Sequence, residues 1–122
     1  EIERRTGGTP TTGVAAEAKT LVDIRYADTS LNAAYLADQL NVSPSTLSRA
    51  FRRDMAMTVP EYLTLVRLSH AVEMMKATSK SITEVMREVG IESESNFYRL
   101  FKKNYLMTPR EYLNYLESGG DD

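Results

Sequence analysis

Apolar residues recur every three or four positions along most of the chain, which is the period of an amphipathic α-helix. In the first such segment Val14, Ala18, Leu21 and Val22 form one stripe, and similar stripes follow along the chain. No segment alternates apolar and polar residues for long, as the strands of a half-buried sheet do. The pattern therefore predicts an all-α fold of about seven helices.

Polar residues that can cap helices mark where these helices begin. Ser43 precedes a proline, and Thr58 and Thr108 each stand three positions before a glutamate, in the order of a capping box. Ser30 is the expected N-cap of a short second helix, and Gly90 supplies the residue that a tight turn favours. These signals predict helices over residues 14–27, 31–40, 44–54, 59–77, 81–89 and 93–103, and a last helix that opens at Thr108.

An internal repeat with an offset of 50 positions determines the architecture. Its first copy contains LSRAFRRDMAMTVPEYL from Leu47, and its second copy contains FYRLFKKNYLMTPREYL from Phe97. Aromatic, basic and capping residues coincide in the two copies. Each copy predicts a short helix, a tight turn and a basic helix, which together make a helix-turn-helix.

The predicted fold is therefore two helix-turn-helix subdomains joined by a long linker helix. We assign the first subdomain to residues 14–57, the linker helix to residues 58–78 and the second subdomain to residues 79–117. Residues 1–13, rich in Gly and Thr, are expected to be a linker or a remnant of expression, so the chain is expected to be a piece of a longer protein. Residues 118–122 are expected to form a disordered tail.

Composition excludes several kinds of chemistry. The chain of 122 residues has no Cys and one His, which rules out thiol catalysis, disulfides and zinc sites built from Cys or several His. Gly-rich phosphate loops, paired catalytic carboxylates and serine triads are also missing, so we expect no enzyme activity, no cofactor and no metal. No run approaches the ~20 apolar residues that a bilayer span needs. A cytoplasmic protein that does not contact a membrane is the default expectation.

Basic residues are clustered although the formal net charge of −2 is not typical of a nucleic-acid binder. The two clusters occupy matching positions of the two copies, each beginning with an arginine and ending with two adjacent basic residues. Repetition at a fixed offset favours a shared role over a solvated face. We therefore expect DNA phosphate contacts from Arg52, Arg53, Lys102 and Lys103.

The second helix of a helix-turn-helix, here called the reading helix, presents outward side chains to base edges in the major groove. The apolar stripe places Leu47 and Phe51 inward in the first copy, and Phe97 and Phe101 inward in the second. The side chains left outside include arginine, which can contact guanine bidentately, and small hydroxyls, which fit between base pairs. The expected base-reading residues are Ser45, Thr46, Ser48 and Arg49 in the first copy and Ser95, Asn96, Tyr98 and Arg99 in the second.

The predicted linker helix has a length suited to DNA. Its roughly 19 residues span about 28 Å at ~1.5 Å rise per residue. Successive major grooves on one face of DNA are about 34 Å apart. The two reading helices are therefore expected to enter successive major grooves.

The sequence resembles the DNA-binding domain of AraC/XylS-type transcription regulators over residues 22–116. The segments that carry the resemblance are LNAAYLADQLNVSPSTLSRAFRRDMAMTVPEYLTLVRLSHAVEMM and SITEVMREVGIESESNFYRLFKKNYLMTPREYLNYL. The resemblance implies two helices inserted into adjacent major grooves of double-stranded DNA, in a regulator of transcription, with activation favoured over repression. We expect RNA polymerase as a further partner, together with an effector or sensor domain outside this chain. The resemblance also implies base-reading roles for Ser45, Ser48, Arg49, Ser95, Asn96, Tyr98 and Arg99.

Two departures from the family pattern affect the reading helices. The family usually has Gly after each of them, where this chain has Ala56 and Leu106. We expect a different backbone in these turns, since Leu resists a positive φ. Glu92 and Glu94 stand at the beginning of the second reading helix, where they suit the helix dipole but repel phosphate. The second half is therefore expected to bind DNA more weakly than the first.

A helical protein-interaction module is the alternative interpretation. The same bundle would then contact RNA polymerase or a partner domain and bind DNA weakly, which the net charge of −2 allows. Salt dependence separates the two interpretations, because phosphate contacts weaken steeply with salt and an apolar protein interface does not. The aromatic residues on the helical stripes are interpreted as core in both cases.

Overall fold

The computed structural model describes residues 13–119, and every regular element in this part of the chain is an α-helix. The helices are α1 (Val14–Arg25), α2 (Ala33–Gln39), α3 (Pro44–Met55), α4 (Val59–Ala77), α5 (Ile82–Glu88), α6 (Glu94–Tyr105) and α7 (Pro109–Glu117). The expected all-α fold is confirmed. The expectations of a linker over residues 1–12 and of disorder over residues 120–122 lie outside the described residues. Ser118 and Gly119 form the turn that closes α7, with the Ser118 amide donating to the Asn114 carbonyl over 3.1 Å.

The chain divides into two compact units at a boundary inside α4, between Val66 and Arg67. The first unit holds α1, α2, α3 and the beginning of α4, and the second holds the rest of α4 with α5, α6 and α7. Each unit contains one helix-turn-helix pair, α2 with α3 or α5 with α6. The predicted arrangement of two helix-turn-helix subdomains joined by a long helix is confirmed.

The core of the first unit is built on small residues of α1. Ala15 and Ala18 are almost completely buried, and their lack of bulk lets α1 pack closely on α3. The Tyr62 hydroxyl of α4 donates to the Asp23 carboxylate of α1 over 2.6 Å, which ties these two helices at the surface. The larger side chains of this core come from all four helices: Val22, Leu36, Leu47, Phe51, Val59 and Leu63.

The core of the second unit is centred on aromatic rings. Phe101 is fully buried, and its ring centroid lies 5.8 Å from those of Phe97 and Tyr112 and 4.8 Å from that of Tyr105. These contacts hold α6 against α7. Aliphatic residues of α4 and α5 complete the buried set: Leu68, Ala71, Val72, Met75, Ile82, Val85 and Met86.

The tight turn inside each helix-turn-helix has the same form. Asn41 has φ of 59° and Gly90 has φ of 91°, and this left-handed conformation suits Gly and is tolerated by Asn. The next amide closes each turn, with Val42 donating to the Ala37 carbonyl over 3.0 Å and Ile91 donating to the Met86 carbonyl over 2.9 Å. The sequence prediction of Gly90 in a tight turn is confirmed.

The second helix begins later than the sequence predicts, and the assignment of Ser30 as its N-cap is wrong. Asn32 is the N-cap, because its side-chain oxygen accepts from the Tyr35 amide over 2.8 Å. Ser30 donates instead to the Asp28 carboxylate, from its amide over 2.9 Å and from its hydroxyl over 2.7 Å. The carboxylate thus holds Ser30 in the turn after α1, so helical geometry starts only at Ala33.

Two capping boxes are present where the sequence predicts them. The Glu61 amide donates to the Thr58 hydroxyl and the Thr58 amide donates to the Glu61 carboxylate, over 3.1 and 2.9 Å. Thr108 and Glu111 exchange the same pair of bonds. Sequence reasoning missed a third box, formed by Ser81 and Glu84 at the start of α5.

These boxes predict that the domain loses stability in acid. Bonds from the Ser81 and Thr108 amides lower the pKa values of Glu84 and Glu111 below the ordinary 4.5. A lowered folded-state pKa means that the stabilisation is present above 4.5 and is lost as the pH falls through the folded value. Glu84→Gln and Glu111→Gln keep an oxygen acceptor but no titrating group. Unfolding by urea at several pH values should show a smaller acid loss in the double variant than in the wild type, and an equal loss would contradict the prediction.

The turns after the reading helices correct another expectation. Ala56 and Leu106 adopt left-handed backbones, with φ of 60° and 65°, although neither is Gly. Their amides donate to the Arg52 and Lys102 carbonyls over 3.0 and 2.8 Å, which closes each helix. The expectation of a different backbone is therefore wrong. The closing bonds and the adjoining capping boxes outweigh the local resistance of Leu to a positive φ.

Replacing Leu106 with Gly is expected to stabilise the domain. A left-handed backbone costs a non-Gly residue ~1–2 kcal/mol, whereas Gly adopts it without strain. Part of this stabilisation is offset because Gly also makes the unfolded chain more flexible. Little packing is lost because Leu106 is 83% exposed. We expect the free energy of unfolding to rise by about 1 kcal/mol in a denaturant titration. Leu106→Ala is the control and should change little, since Ala keeps the same backbone strain; equal values for the Gly and Ala variants would refute the explanation.

Candidate nucleic-acid interface

The first reading helix, α3, presents a polar face because its apolar residues are turned into the core. Leu47 and Phe51 are buried, whereas Ser45, Ser48 and Arg49 are exposed. Successive residues turn by about 100° in an α-helix, so Arg49 lies almost opposite the buried side. The structure thus brings three of the four predicted base-reading residues of this copy to one exposed face.

Thr46, the fourth predicted residue, is placed differently. It is half-buried, and its hydroxyl accepts a bond from the Ser43 hydroxyl over 2.9 Å. The Thr46 amide donates to the same Ser43 oxygen over 3.1 Å, as the third residue of a capped helix does. Thr46 therefore helps to order the beginning of α3 as well as bordering its exposed face.

The guanidinium of Arg49 contacts its own helix only weakly. It donates to the Ser45 hydroxyl, one turn earlier, over 3.5 Å, which is at the limit of a hydrogen bond. The long side chain thus keeps its bonding capacity for a ligand. Arginine offers five N–H donors in a planar fork that matches the O6 and N7 acceptors of guanine.

The second reading helix, α6, repeats this arrangement with bulkier side chains. Ser95 and Arg99 are exposed, while Asn96 and Tyr98 are half-buried. The guanidinium of Arg99 donates to the Asn96 side-chain oxygen. The Tyr98 ring packs edge-on against Phe97, with 6.5 Å between centroids. Arg99 is thus held by a neighbour on its own helix, whereas Arg49 is held weakly.

The repeat is structural as well as chemical. From Phe51 to Glu61 and from Phe101 to Glu111, buried, half-buried and exposed positions follow each other in the same order. Ser43 and Ser93 cap the two reading helices through the Thr46 and Asn96 amides. Each unit therefore presents the same kind of surface: a serine hydroxyl that caps the reading helix, one arginine at the centre of the exposed face, and basic residues in the last turn of that helix.

The four residues predicted to contact phosphate are all exposed, but they are not equivalent. Arg52, Lys102 and Lys103 make no ion pair among residues 13–119. Arg53 is paired with its neighbour Asp54. Sequence reasoning missed this pair, because adjacent helical residues do not normally face each other.

Acidic residues also flank α6, as the sequence predicts. Glu92 and Glu94 are both exposed, and Glu94 lies in the first turn of the helix. A negative carboxylate interacts favourably with the positive end of the helix dipole at this position.

The described residues contain no group of three or more side chains suited to a metal ion. None of the described helices has the length and apolar character required to cross a membrane.

The family description "Helix-turn-helix domain", of AraC type, matches residues 36–115 of this chain. The chain belongs to the AraC family. The match begins inside α2 and covers the rest of both helix-turn-helix pairs of this AraC-family chain, including every residue predicted to contact DNA. The family is one of DNA-binding transcription regulators rather than of enzymes.

Individual AraC-family proteins are similar in sequence and in structure. The uncharacterized HTH-type transcriptional regulator YijO of Escherichia coli K12 is 35% identical over 91 residues, 75% of this chain and 32% of that protein. The transcriptional activator AggR of Escherichia coli is 32% identical over 85 residues, 70% of this chain and 32% of that protein. This chain thus spans about a third of the length of both curated relatives. The solved C-terminal domain of AraT, a response regulator from Geobacillus stearothermophilus, matches with a TM-score of 0.80 and 27% identity over 83% of this chain and 84% of that one.

Proposed function

We propose that this domain binds double-stranded DNA sequence-specifically, with α3 and α6 in successive major grooves, and that it thereby regulates transcription. The observation that carries the proposal is the duplicated surface, in which each unit places an arginine at the centre of the exposed face of a capped helix, beside small polar residues. Membership of the AraC family supports the same conclusion.

The chemistry of the two surfaces divides into base reading and backbone contact. Arg49 and Arg99 are proposed to contact guanine, and the neighbouring serines, Asn96 and Tyr98 to contact adjacent base edges. Thr46 is proposed to contribute at the border of the first surface. The basic residues of the last turns are proposed to bind phosphates, which fix the register of a reading helix without carrying sequence information.

The role of the whole protein extends this proposal. We propose an activator rather than a repressor, which contacts RNA polymerase and is controlled by an effector or sensor domain outside this chain. The name of the relative AggR, a transcriptional activator, supports the first part. The proposal has no catalytic step, and it places the protein in the cytoplasm.

Salt dependence tests DNA binding against the alternative of a protein-interaction module. A domain that makes about 6 to 8 phosphate contacts should lose about 10³-fold or more in affinity for duplex DNA between 50 and 200 mM salt. Fluorescence anisotropy with duplexes retained from a random pool measures this directly. Weak binding to all duplexes with little salt dependence would favour the interaction module, since a largely apolar protein interface does not depend on released counterions.

A further inference from the structure

The two basic segments differ at one position that the repeat aligns, which is Asp54 in the first unit and Asn104 in the second. The Arg53 guanidinium donates to both oxygens of Asp54, with Nε to Oδ1 at 2.9 Å and Nη2 to Oδ2 at 3.3 Å. The bond from Arg53 lowers the pKa of the Asp54 carboxyl, so Asp54 is charged at neutral pH. The positive charge of Arg53 is thus compensated within its own helix.

The matching pair in the second unit has a different arrangement. The Asn104 side chain carries no charge, and its Nδ2 donates to the Leu100 carbonyl, one turn earlier, over 2.8 Å. Lys103 is exposed and forms no ion pair within the described part of the chain. Among the described residues, the last turn of α6 therefore presents two cations outside any ion pair, Lys102 and Lys103, whereas the last turn of α3 presents one such cation, Arg52, and the Arg53–Asp54 ion pair.

We propose that Asp54 is a positioning residue that restrains Arg53 and thereby weakens the grip of the first unit on the DNA backbone. The inference rests on the proposed DNA binding. The Arg53 side chain is 69% exposed, so a phosphate can reach it, but the guanidinium must leave or share the carboxylate that already occupies its fork. Asp54 also brings a negative charge close to any phosphate bound there. The acid that follows Arg53 thus offsets part of the advantage that we expect the first half to have over the acid-flanked second half.

Exchange of the two residues tests the proposal. Asp54→Asn should tighten binding by about 2- to 10-fold near 100 mM salt and steepen the slope of log affinity against log salt by about 1, equally on a selected operator and on an unrelated duplex. Asn104→Asp should change both quantities in the opposite direction. Glu17→Gln removes one exposed acid of the first unit from outside the helix-turn-helix, and it should alter affinity by less than about 1.5-fold because Glu17 belongs to α1 and not to the basic segment of α3.

A double variant separates positioning of Arg53 from the charge of Asp54 itself. In an Arg53→Gln background the effect of Asp54→Asn should be largely lost, because the restrained group is gone. An unchanged affinity and slope for Asp54→Asn, or the same gain with and without Arg53, would overturn the proposal. Failure of the proposed function has a different signature: the wild type itself would bind duplexes weakly and without a salt slope. Circular dichroism of each variant shows whether it is folded. If the Asn104→Asp variant does not fold, the Asp54→Asn variant alone still tests the proposal.

Discussion

Arg49→Ala is expected to weaken binding to the selected operator by about tenfold to more than a hundredfold, the loss typical of one bidentate arginine–guanine contact. Arg49 lies at the centre of the exposed face of α3, and within residues 13–119 it is held only by the 3.5 Å contact with Ser45. Its guanidinium is therefore available to a base at little cost. Because the lost contact reads a base, preference at one operator position should relax as affinity falls.

Two matched variants serve as controls for Arg49→Ala. Arg52→Ala removes an exposed cation from the same helix and should weaken binding to all duplexes by the same factor. The slope of log affinity against log salt should become shallower by about 1. Arg99→Ala should cost less than Arg49→Ala, because Glu92 and Glu94 repel the phosphates around α6. Equal losses on one operator at fixed salt, or a larger loss for Arg99→Ala, would show that fit in the groove ranks the helices and that nearby charge does not.

Phe101→Ala is expected to lower the free energy of unfolding of the second unit by about 3–5 kcal/mol. Phe101 is fully buried and contacts the rings of Phe97, Tyr105 and Tyr112, so its removal leaves a cavity between α6 and α7. Urea unfolding followed by circular dichroism measures the change. DNA binding by α6 should fail with it, since these contacts hold the helix in place.

The repeat supplies a control for this prediction. Phe51 occupies the matching position in the first unit, is also fully buried and packs 5.8 Å from the Tyr62 ring. Phe51→Ala should destabilise the first unit by a similar amount. Phe101→Leu retains most of the apolar volume and should cost about 1 kcal/mol. A loss below ~1 kcal/mol for Phe101→Ala would mean that this ring is not a core residue.

Most of the fold could be predicted from local sequence signals at the helix ends. Ser43 before a proline, and Thr58 and Thr108 before glutamates, define helix starts through bonds within four residues, and all three caps form. Ser30 failed for an equally local reason. Asp28, Ser30 and Asn32 all have side chains that suit an N-cap, and the composition of the segment does not say which of them takes the role.

The turns after the reading helices could not be derived from residue preference. Leu disfavours a left-handed backbone, yet Leu106 adopts this conformation because α6 must end before the capping box of α7 begins. The repeat was the better guide, since Ala56 and Leu106 occupy equivalent positions and share one conformation. A preference of about 1–2 kcal/mol at one residue is small beside the packing of two helices.

The chemistry of the candidate interface was predicted only as a list of exposed residues. The apolar stripe identifies which side chains face outward, because burial of Leu47, Phe51, Phe97 and Phe101 fixes the rotation of both helices. It does not show how outward side chains bond to each other. The bonds of Arg99 to Asn96 and of Arg53 to Asp54 depend on rotamers, and they make the two surfaces unequal.

Selection of bound sites from a pool of random duplexes tests most directly whether both units read DNA. We predict an enriched motif of two segments with centres about 10 base pairs apart, the distance between successive major grooves. Repeating the selection with Arg49→Ala should relax the preference at one position of one segment, and with Arg99→Ala at one position of the other. A motif with a single segment, or one whose preferences change with only one of the two arginines, would contradict the account of two reading helices.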